Sequence, residues 1–222
     1  MPRVAEPRAP AEPVTPNQHA RRERILDAAA HLGSIKELER IKMQEVAARA
    51  DVALSTLYRY FPSKTHLFVA TMAAQVQRLV ELHADTDWAG TPPDEAVFEV
   101  LRGAGRALLR RRRLAVAMTQ SFNAADPTVV PDVEDIDQRM NALLLAAAGV
   151  EHPTSQERSL PRLVIQAWYG VLQSALNGRM TIEEAEQDLR LACRLLFAPL
   201  LSDDRAQATA FASSDGAWRA HA

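Results

Sequence analysis

The chain has 222 residues, of which 47% are hydrophobic and 24% charged, a balance typical of a globular protein long enough for two domains. No apolar run reaches the ~18 residues of a membrane span, and the N-terminus lacks the apolar core of a signal peptide. A single cysteine excludes an internal disulfide, so we expect a cytoplasmic protein without membrane contact.

Charge and residue type are unevenly distributed along the chain. Residues 1–66 carry 11 basic and 8 acidic side chains, whereas the remainder carries 15 and 20. A modestly basic N-terminal part on an acidic body is compatible with nucleic-acid binding at one end only. Alanine and leucine dominate and β-branched runs are scarce, which predicts an all-α fold.

The first residues differ in composition from the rest. Residues 1–18 contain five prolines and little apolar bulk, so we predict a disordered arm. Arg21, Arg22 and Arg24 follow, and they either contact a DNA backbone or minor groove, as basic arms do, or form the solvated start of a helix. The first predicted helix has its exit by Ile41, and its apolar stripe is Ile25, Leu26, Ala29 and Leu32.

A short helix and a tight turn come next. Val46, Ala47 and Ala50 recur at three- and four-residue spacing, which places them on one face of a helix that begins near Met43. Asp51 interrupts the pattern. We expect this residue to adopt the left-handed backbone conformation of a turn, which costs aspartate more than glycine.

A second short helix is predicted from Leu54 to Phe61. Leu57 and Phe61 lie four residues apart and form its buried stripe, while Ser55 can cap the helix or occupy its first turn. The other side chains carry groups that reach phosphate oxygens and base edges in a major groove. The residues predicted to face outward are Ser55, Thr56, Tyr58, Arg59 and Tyr60.

Pro62-Ser63-Lys64 ends this helix and begins another. Lys64 is thereby placed at a helix N-terminus, where an ammonium group and free backbone N–H groups together favour a phosphate. Two short helices, a tight turn and a hydrogen-bonding outer face make a helix-turn-helix, which the first helix completes as a three-helix domain.

The run LYRYFPSK, residues 57–64, resembles the DNA-binding domain of the TetR family of bacterial regulators, as does its gap-free spacing from ILDAA at residues 25–29. The longer run DVALSTLYRYFPSKTHL is most similar to the KstR-like branch, which the resemblance links to repression of sterol and lipid catabolism. The resemblance implies a DNA-binding domain at residues 19–66 and a helical effector-binding and dimerisation domain at 67–201. Residues 202–222 are polar and alanine-rich, which predicts a flexible tail.

The resemblance also implies DNA contacts by position. Residues at DNA-touching positions are Gln44, Ser55, Thr56 and Tyr60, and those at phosphate-contacting positions are Tyr58 and Lys64. Two departures from the family pattern stand out. Gly33 replaces a residue that is usually bulky and apolar, and Asp51 replaces the usual turn glycine.

The rest of the chain reads as a series of longer amphipathic helices. Pro161 is expected to kink the fifth of these helices or to lie near its true start. The predicted helices run over residues 64–85, 94–112, 114–124, 133–148, 154–179 and 181–200, the last opened by a capping box at Thr181 and Glu184.

Two features interrupt the helix predicted over residues 94–112. Gly103 and Gly105 mark either a close helix approach or a bend. The basic run Arg110 to Arg113 is either a site for the phosphates of an anionic ligand, such as a coenzyme A thioester, or a solvated helix junction.

The middle helices contain the larger apolar side chains, which either fill a plain core or line a pocket for a small hydrophobic effector. Gln166 and the polar tips of Trp168 and Tyr169 could orient a ligand carbonyl or hydroxyl. The candidate ligand-binding residues are Phe98, Leu101, Met118, Phe122, Met140, Leu144, Gln166, Trp168, Tyr169 and Leu172. The nature of the effector, a steroid or an acyl-CoA thioester, is implied by the branch resemblance alone.

The apolar faces of the last two helices either join the chain's own core or form a homodimer, in which two recognition helices read two half-sites. Catalysis is not expected, because Cys193 lies on an apolar helix face and the six histidines lack metal-ligand spacing. We expect neither a metal nor a cofactor. The sequence thus predicts a repressor that a hydrophobic effector releases from a palindromic double-stranded operator; an effector-independent dimeric DNA-binding protein is the alternative.

Overall fold

A computed structural model describes residues 10–201 of the chain, and every regular element within that range is a helix. This confirms the all-α prediction; the predicted tail and the first nine residues of the predicted arm lie outside the described range. The helices are α1 (Pro16–Ile35), a short 3-10 helix (Leu38–Arg40), α2 (Met43–Arg49), α3 (Leu54–Tyr60), α4 (Lys64–His83), α5 (Pro93–Arg110), α6 (Arg112–Asn123), α7 (Asp132–Ala147), α8 (Ser159–Leu176) and α9 (Ile182–Leu201).

Helix α1 begins earlier than the sequence predicted, at Pro16. The Thr15 hydroxyl accepts a hydrogen bond from the Gln18 backbone N–H at 3.3 Å, and the Gln18 side chain accepts one from the Thr15 N–H at 3.2 Å. This capping box, with proline at the first helical position, stabilises a helix start. The prediction of a disordered arm is therefore wrong for residues 16–18. Further upstream, Ala11 donates its backbone N–H to the Arg59 carbonyl at 2.9 Å.

The described chain divides into two compact units. Unit 1 contains the residues up to Asp85 and those from Arg106 to Met140, and unit 2 contains Thr86–Gly105 and the residues from Asn141 onward. The sequence had placed a boundary at residue 66, at the start of α4. Helix α4 instead belongs with α1, because it buries Leu67, Phe68 and Val69 completely and packs against α1 and α6.

The core of unit 1 joins the helix-turn-helix to α6. Ile25 of α1, Leu57 of α3 and Phe68 of α4 are fully buried and belong to one cluster with Leu114 and Met118 of α6. Burying a leucine or phenylalanine of this kind stabilises a fold by about 1.5–3 kcal/mol. The predicted three-helix domain is therefore supported by helices that follow it in the chain.

Gly33 occupies a close approach within this core. A Cβ at this position would lie 2.9 Å from Leu114 Cδ1 and 3.0 Å from Phe68 Cε1. The departure from the family's bulky residue thus has a structural reason, because α4 and α6 fill the space that such a side chain would need.

In unit 2, helices α8 and α9 pack against each other along their length. Pro161 is the third residue of α8, which agrees with the prediction that it lies near the true start of the helix. Gly105 of α5 marks a close approach, since a Cβ there would lie 3.3 Å from the Trp168 indole nitrogen, whereas Gly103 faces open space. Of the helices in the described range, none combines the length and apolarity needed to cross a bilayer.

Candidate nucleic-acid interface

The turn between α2 and α3 is built around Asp51. Its φ of +53° is left-handed, as predicted. The Asp51 N–H donates to the Ala48 carbonyl at 3.3 Å, and the Val52 N–H donates to the Ala47 carbonyl at 3.1 Å. This pair of bonds is a Schellman motif, which satisfies the last carbonyls of α2 and sets the direction of α3.

The outer faces of α2 and α3 carry most of the predicted DNA contacts. Gln44 of α2 is exposed, as are Ser55, Tyr58 and Arg59 of α3, and Tyr58 retains 42% of its surface. Ser55 lies in the first turn of α3 rather than at the cap, which is Ala53. Together these side chains offer an amide, a hydroxyl, a phenol and a guanidinium to a groove about the width of one helix.

Tyr60 does not face outward, and the prediction of its orientation is wrong. Its side chain is 3% exposed, and its hydroxyl is buried without a hydrogen-bond partner among the described residues. The reason is spacing, since Tyr60 lies three residues after the buried Leu57 and therefore shares its face of the helix. In this conformation the hydroxyl cannot reach a phosphate, and contact with DNA requires the ring to turn.

Lys64 is engaged inside unit 1. Its Nζ donates to the Leu38 carbonyl at 2.8 Å and lies 3.4 Å from the Glu39 carbonyl, so it ties α4 to the 3-10 helix. Ser63 caps α4 by accepting from the His66 N–H at 3.3 Å. Phosphate binding at the first turn of α4 stays a prediction, and with Lys64 engaged it would depend on the backbone N–H groups that Ser63 does not cap.

Two of the arginines at the start of α1 support the fold. The Arg22 guanidinium lies 5.5 Å from the Phe61 ring centroid and forms an ion pair with Asp132 at 3.6 Å. Burial raises the pKa of the Asp132 carboxyl, and the charge of Arg22 opposes this rise. Arg24 donates its Nε to the Ala50 carbonyl at 3.3 Å, at the C-terminal end of α2.

An ion pair fixes the start of α2. Lys36 Nζ lies 3.0 Å from the Glu45 carboxylate, which also accepts from the Lys42 N–H at 3.5 Å. The hydrogen bond from Lys36 is the largest cause that lowers the pKa of Glu45. Both side chains are more than a third exposed, so the pair contributes little stability and mainly orients the helix.

His66 is a residue that sequence reasoning missed. It is 8% exposed, its Nδ1 lies 2.8 Å from the Ser63 hydroxyl, and its Nε2 lies 3.2 Å from the Val129 carbonyl. Histidine thereby joins the first turn of α4 to the segment between α6 and α7. The sequence did contain a signal for the local contact, because Ser63 lies three residues before His66. The contact with the Val129 carbonyl could not be predicted, because it joins residues 63 positions apart.

The candidate ligand-binding residues fall in both units, with Met118, Phe122 and Met140 in unit 1 and the other seven in unit 2. Met118 belongs to the core that supports the helix-turn-helix. The buried candidates are Phe98, Leu101, Met118, Met140, Leu144, Trp168 and Leu172, whereas Phe122 is partly exposed. Tyr169 is likewise partly exposed.

Gln166 lies on the exposed face of α8, which corrects the expectation that it turns inward. Val164, Trp168 and Leu172 form the buried stripe at four-residue spacing. Gln166 is two residues from Val164 and from Trp168, and two residues correspond to about 200° around a helix, so it faces away from both.

Three other polar atoms of unit 2 are buried without a partner in the described part of the chain: Arg102 Nε, Asn141 Oδ1 and Gln173 Nε2. Buried polar atoms are nearly always hydrogen-bonded in native proteins. Two donors and one acceptor are thus available to a bound molecule or to water.

The single cysteine, weighed above as a possible nucleophile, is buried. Burial raises the pKa of the Cys193 thiol to about 12, so it is not a thiolate nucleophile at neutral pH. Among the residues of the described range, no group of three or more His, Cys, Asp or Glu side chains is arranged to hold a metal.

Comparison with known proteins agrees with this geometry. Residues 25–71 match the family model "Bacterial regulatory proteins, tetR family", and residues 90–196 match "Tetracyclin repressor-like, C-terminal domain". The transcriptional repressor KstR of Mycolicibacterium smegmatis is 36% identical over 183 residues, which cover 81% of this chain and 88% of that protein.

Two solved structures extend the comparison. A TetR transcriptional regulator from Rhodococcus sp. RHA1 is 49% identical, with a TM-score of 0.77 over 81% of this chain and 97% of that one. FadR of Thermus thermophilus, at 20% identity, has a TM-score of 0.57 over 79% and 93% of the two chains and thus shares the fold. The chain belongs to the TetR family of transcriptional regulators, in the branch of the KstR repressors.

Proposed function

We propose that this protein is a dimeric repressor that binds a palindromic operator through two copies of α3 and is released by a hydrophobic effector. The exposed hydrogen-bonding face of α2 and α3 carries the proposal. In this arrangement Ser55 and Gln44 contact base edges, and Tyr58 and the first turn of α4 contact phosphates.

The operator is found by selecting bound sequences from random DNA, followed by a search for the palindrome near the gene. On that operator, Gln44→Ala and Ser55→Ala should each lower affinity by about tenfold, the lower part of the range for a lost base contact. Gln120→Ala, which also changes an exposed helical glutamine, is the matched control and should leave affinity unchanged. Equal affinity of all three variants and the unchanged protein would overturn the assignment.

The outer faces of α8 and α9 support dimerisation. Leu163, Leu191 and Leu195 keep 48%, 55% and 69% of their surface exposed in the single chain. On α8 the neighbouring exposed residues Ala167 and Gly170 are small, so another helix can approach closely. Two such pairs close as a four-helix bundle about a twofold axis, which sets the distance between the two copies of α3.

Unit 2 also supports an effector site. Its large buried side chains include Phe98, Leu101 and Trp168, and the unpaired Asn141 and Gln173 atoms supply polar groups that could orient a ligand. The Thermus relative was crystallised in complex with lauroyl-CoA. We propose the same general class of hydrophobic ligand here, with an acyl-CoA thioester and a steroid as the candidates.

The effector acts by its differential affinity for two conformations. The His66 contact with Val129 gives a physical path, because a shift of the segment between α6 and α7 would be transmitted to the first turn of α4. Acyl-CoA thioesters and steroids are titrated into the labelled operator complex. Release of the operator by one of these molecules supports the proposal. If the Gln173 amide orients the ligand, Gln173→Leu should raise the ligand concentration needed for release by about tenfold. A ligand that binds but leaves DNA affinity unchanged would contradict it.

The second candidate is a dimeric DNA-binding protein without an effector. The observation that favours it is the burial of Leu101 and Leu144. Both are fully inaccessible to solvent, as expected for a filled core without a ligand cavity. Failure of every tested hydrophobic molecule to bind the protein, with DNA binding intact, would decide for this candidate.

A further inference from the structure

Unit 1 contains a cleft of about 760 Å³ that is lined by none of the residues proposed above to contact DNA, an effector or a second copy of the chain. Three helices line it: α1 contributes Asp27 and His31, α4 contributes Arg78, and the end of α5 leads to Arg110 and Arg111. Its volume lies in the range of small-molecule sites, and its lining combines charged and polar side chains with Ala30 and Ala107. A purely apolar molecule would leave the charged groups of this lining without partners.

The basic run at residues 110–113 is divided by the fold. Arg113 donates to the Ile35 carbonyl at 3.2 Å, at the end of α1, and so takes a structural role. Arg110 and Arg111 instead line the cleft, where Arg78 joins them from a separate helix. The sequence could not foresee Arg78, which lies 32 positions before Arg110.

The charges of the cleft are unbalanced. Three guanidinium groups face one carboxylate, which leaves a formal charge of +2 with histidine neutral. In the described range, the side chains of Arg78, Arg110 and Arg111 form no ion pair, and neither does Asp27. Guanidinium groups bind phosphate through paired N–H donors, so a bound phosphate would relieve their mutual repulsion.

We propose that this cleft binds a phosphate-bearing small molecule through Arg78, Arg110 and Arg111. The bound anion would link the C-terminal half of α4, which carries Arg78, to the junction of α5 and α6, where Arg110 and Arg111 lie. Its effect on operator affinity rests on the proposed repressor function, but its binding does not. The two are tested separately because binding is measured without DNA.

The test is calorimetric titration of the full chain with inorganic pyrophosphate at low salt. We expect Arg78→Gln and Arg111→Gln each to weaken binding by about tenfold, as loss of a charge-assisted hydrogen bond does. Asp27→Asn should strengthen binding by about twofold to fivefold, because it removes a like charge at the surface of the cleft. These side chains are unpaired, so thermal unfolding should show that the variants fold like the unchanged protein.

Matched controls separate the site from overall charge. Arg179→Gln and Glu151→Gln make the same changes of charge at exposed positions of unit 2 and should alter binding by less than about twofold. Three results would overturn the proposal: no pyrophosphate binding, equal loss in Arg179→Gln and Arg78→Gln, or a loss of DNA binding in Arg78→Gln with pyrophosphate binding intact. The last would assign the cleft to the DNA surface.

Discussion

Helices α3 and α9 each bury one face and expose the other, but the exposed faces differ in chemistry. On α3 the exposed side chains are Ser55, Tyr58 and Arg59, and on α9 they include Leu191 and Leu195. A polar face is stable in water and gains affinity only from a partner with complementary hydrogen bonds. An apolar face is unfavourable in water until another apolar surface covers it. This difference is the reason why we propose a DNA contact for α3 and a protein contact for α9.

The largest expected effect tests the protein contact. Leu191→Glu with Leu195→Glu should convert the dimer to a monomer, because four carboxylates would meet in an apolar interface. Operator affinity should then fall by about a hundredfold or more, since the second half-site no longer contributes as a linked contact. Sedimentation analysis gives the mass and fluorescence anisotropy gives the affinity.

The control for that pair is Leu82→Glu, which changes a leucine that is 73% exposed at the end of α4. It should remain dimeric and bind DNA normally. A dimer that persists in the double variant would place the interface on another surface and remove the argument from α9.

Two glycines, one in the core of unit 1 and one on the exposed face of α8, are expected to respond in opposite ways to the same substitution. Gly33→Ala should lower the free energy of unfolding by about 1–2 kcal/mol, because the new Cβ would crowd Leu114 and Phe68 in a filled core. Gly170→Ala meets nothing within 4 Å and should raise it by up to about 1 kcal/mol through helix propensity. Each substitution is introduced into the monomeric Leu191→Glu, Leu195→Glu variant and its stability is measured by denaturant unfolding, so that dimerisation does not contribute to the result.

The same Gly170→Ala change in the dimer sharpens the comparison. If the α8 face packs closely against its copy, the added methyl group should weaken dimerisation although it stabilises the monomer. A dimer that is unaffected would mean that α8 lies at the edge of the interface and that α9 forms its centre.

The sequence predicted which side chains are buried more accurately in α2 and α3 than in α8 and α9, for a physical reason. In α2 and α3 the spacing of a few residues decides which side is buried, and the turn at Asp51 follows from local backbone chemistry. The error at Tyr60 arose because a polar tip was taken to determine the direction of a largely apolar ring. In unit 2, α8 and α9 carry large apolar side chains on exposed as well as buried faces, so spacing alone could not distinguish core from pocket or interface.

Contacts between distant residues were also beyond prediction. The contact of the Val129 carbonyl with His66 and the presence of Arg78 and Arg110 in one cleft depend on how helices pack rather than on local pattern. The unpaired Asn141 and Gln173 atoms became visible only through burial. Gln166, an equally polar residue, was chosen from sequence and lies on the outside.

The smallest expected effect concerns Asp51, the point at which the helix-turn-helix departs from its family pattern. A left-handed conformation costs most residues about 1–2 kcal/mol, and aspartate somewhat less. Asp51→Gly should therefore raise the free energy of unfolding by about 0.5–1 kcal/mol, and Asp51→Ala should lower it by a similar amount. Denaturant unfolding measures both changes.

Asp51→Asn separates backbone conformation from charge, because asparagine also tolerates the left-handed region but carries no charge. Asp51 is exposed, between the two helices proposed to meet DNA, so its carboxylate should repel the phosphates. If repulsion matters, Asn and Gly variants should gain similar operator affinity at low salt and lose that gain at high salt. If only the Gly variant gains affinity, the turn's flexibility and not its charge limits how well α3 fits the groove. That result would mean that the conformation of α3 in the free protein is not the one that binds DNA.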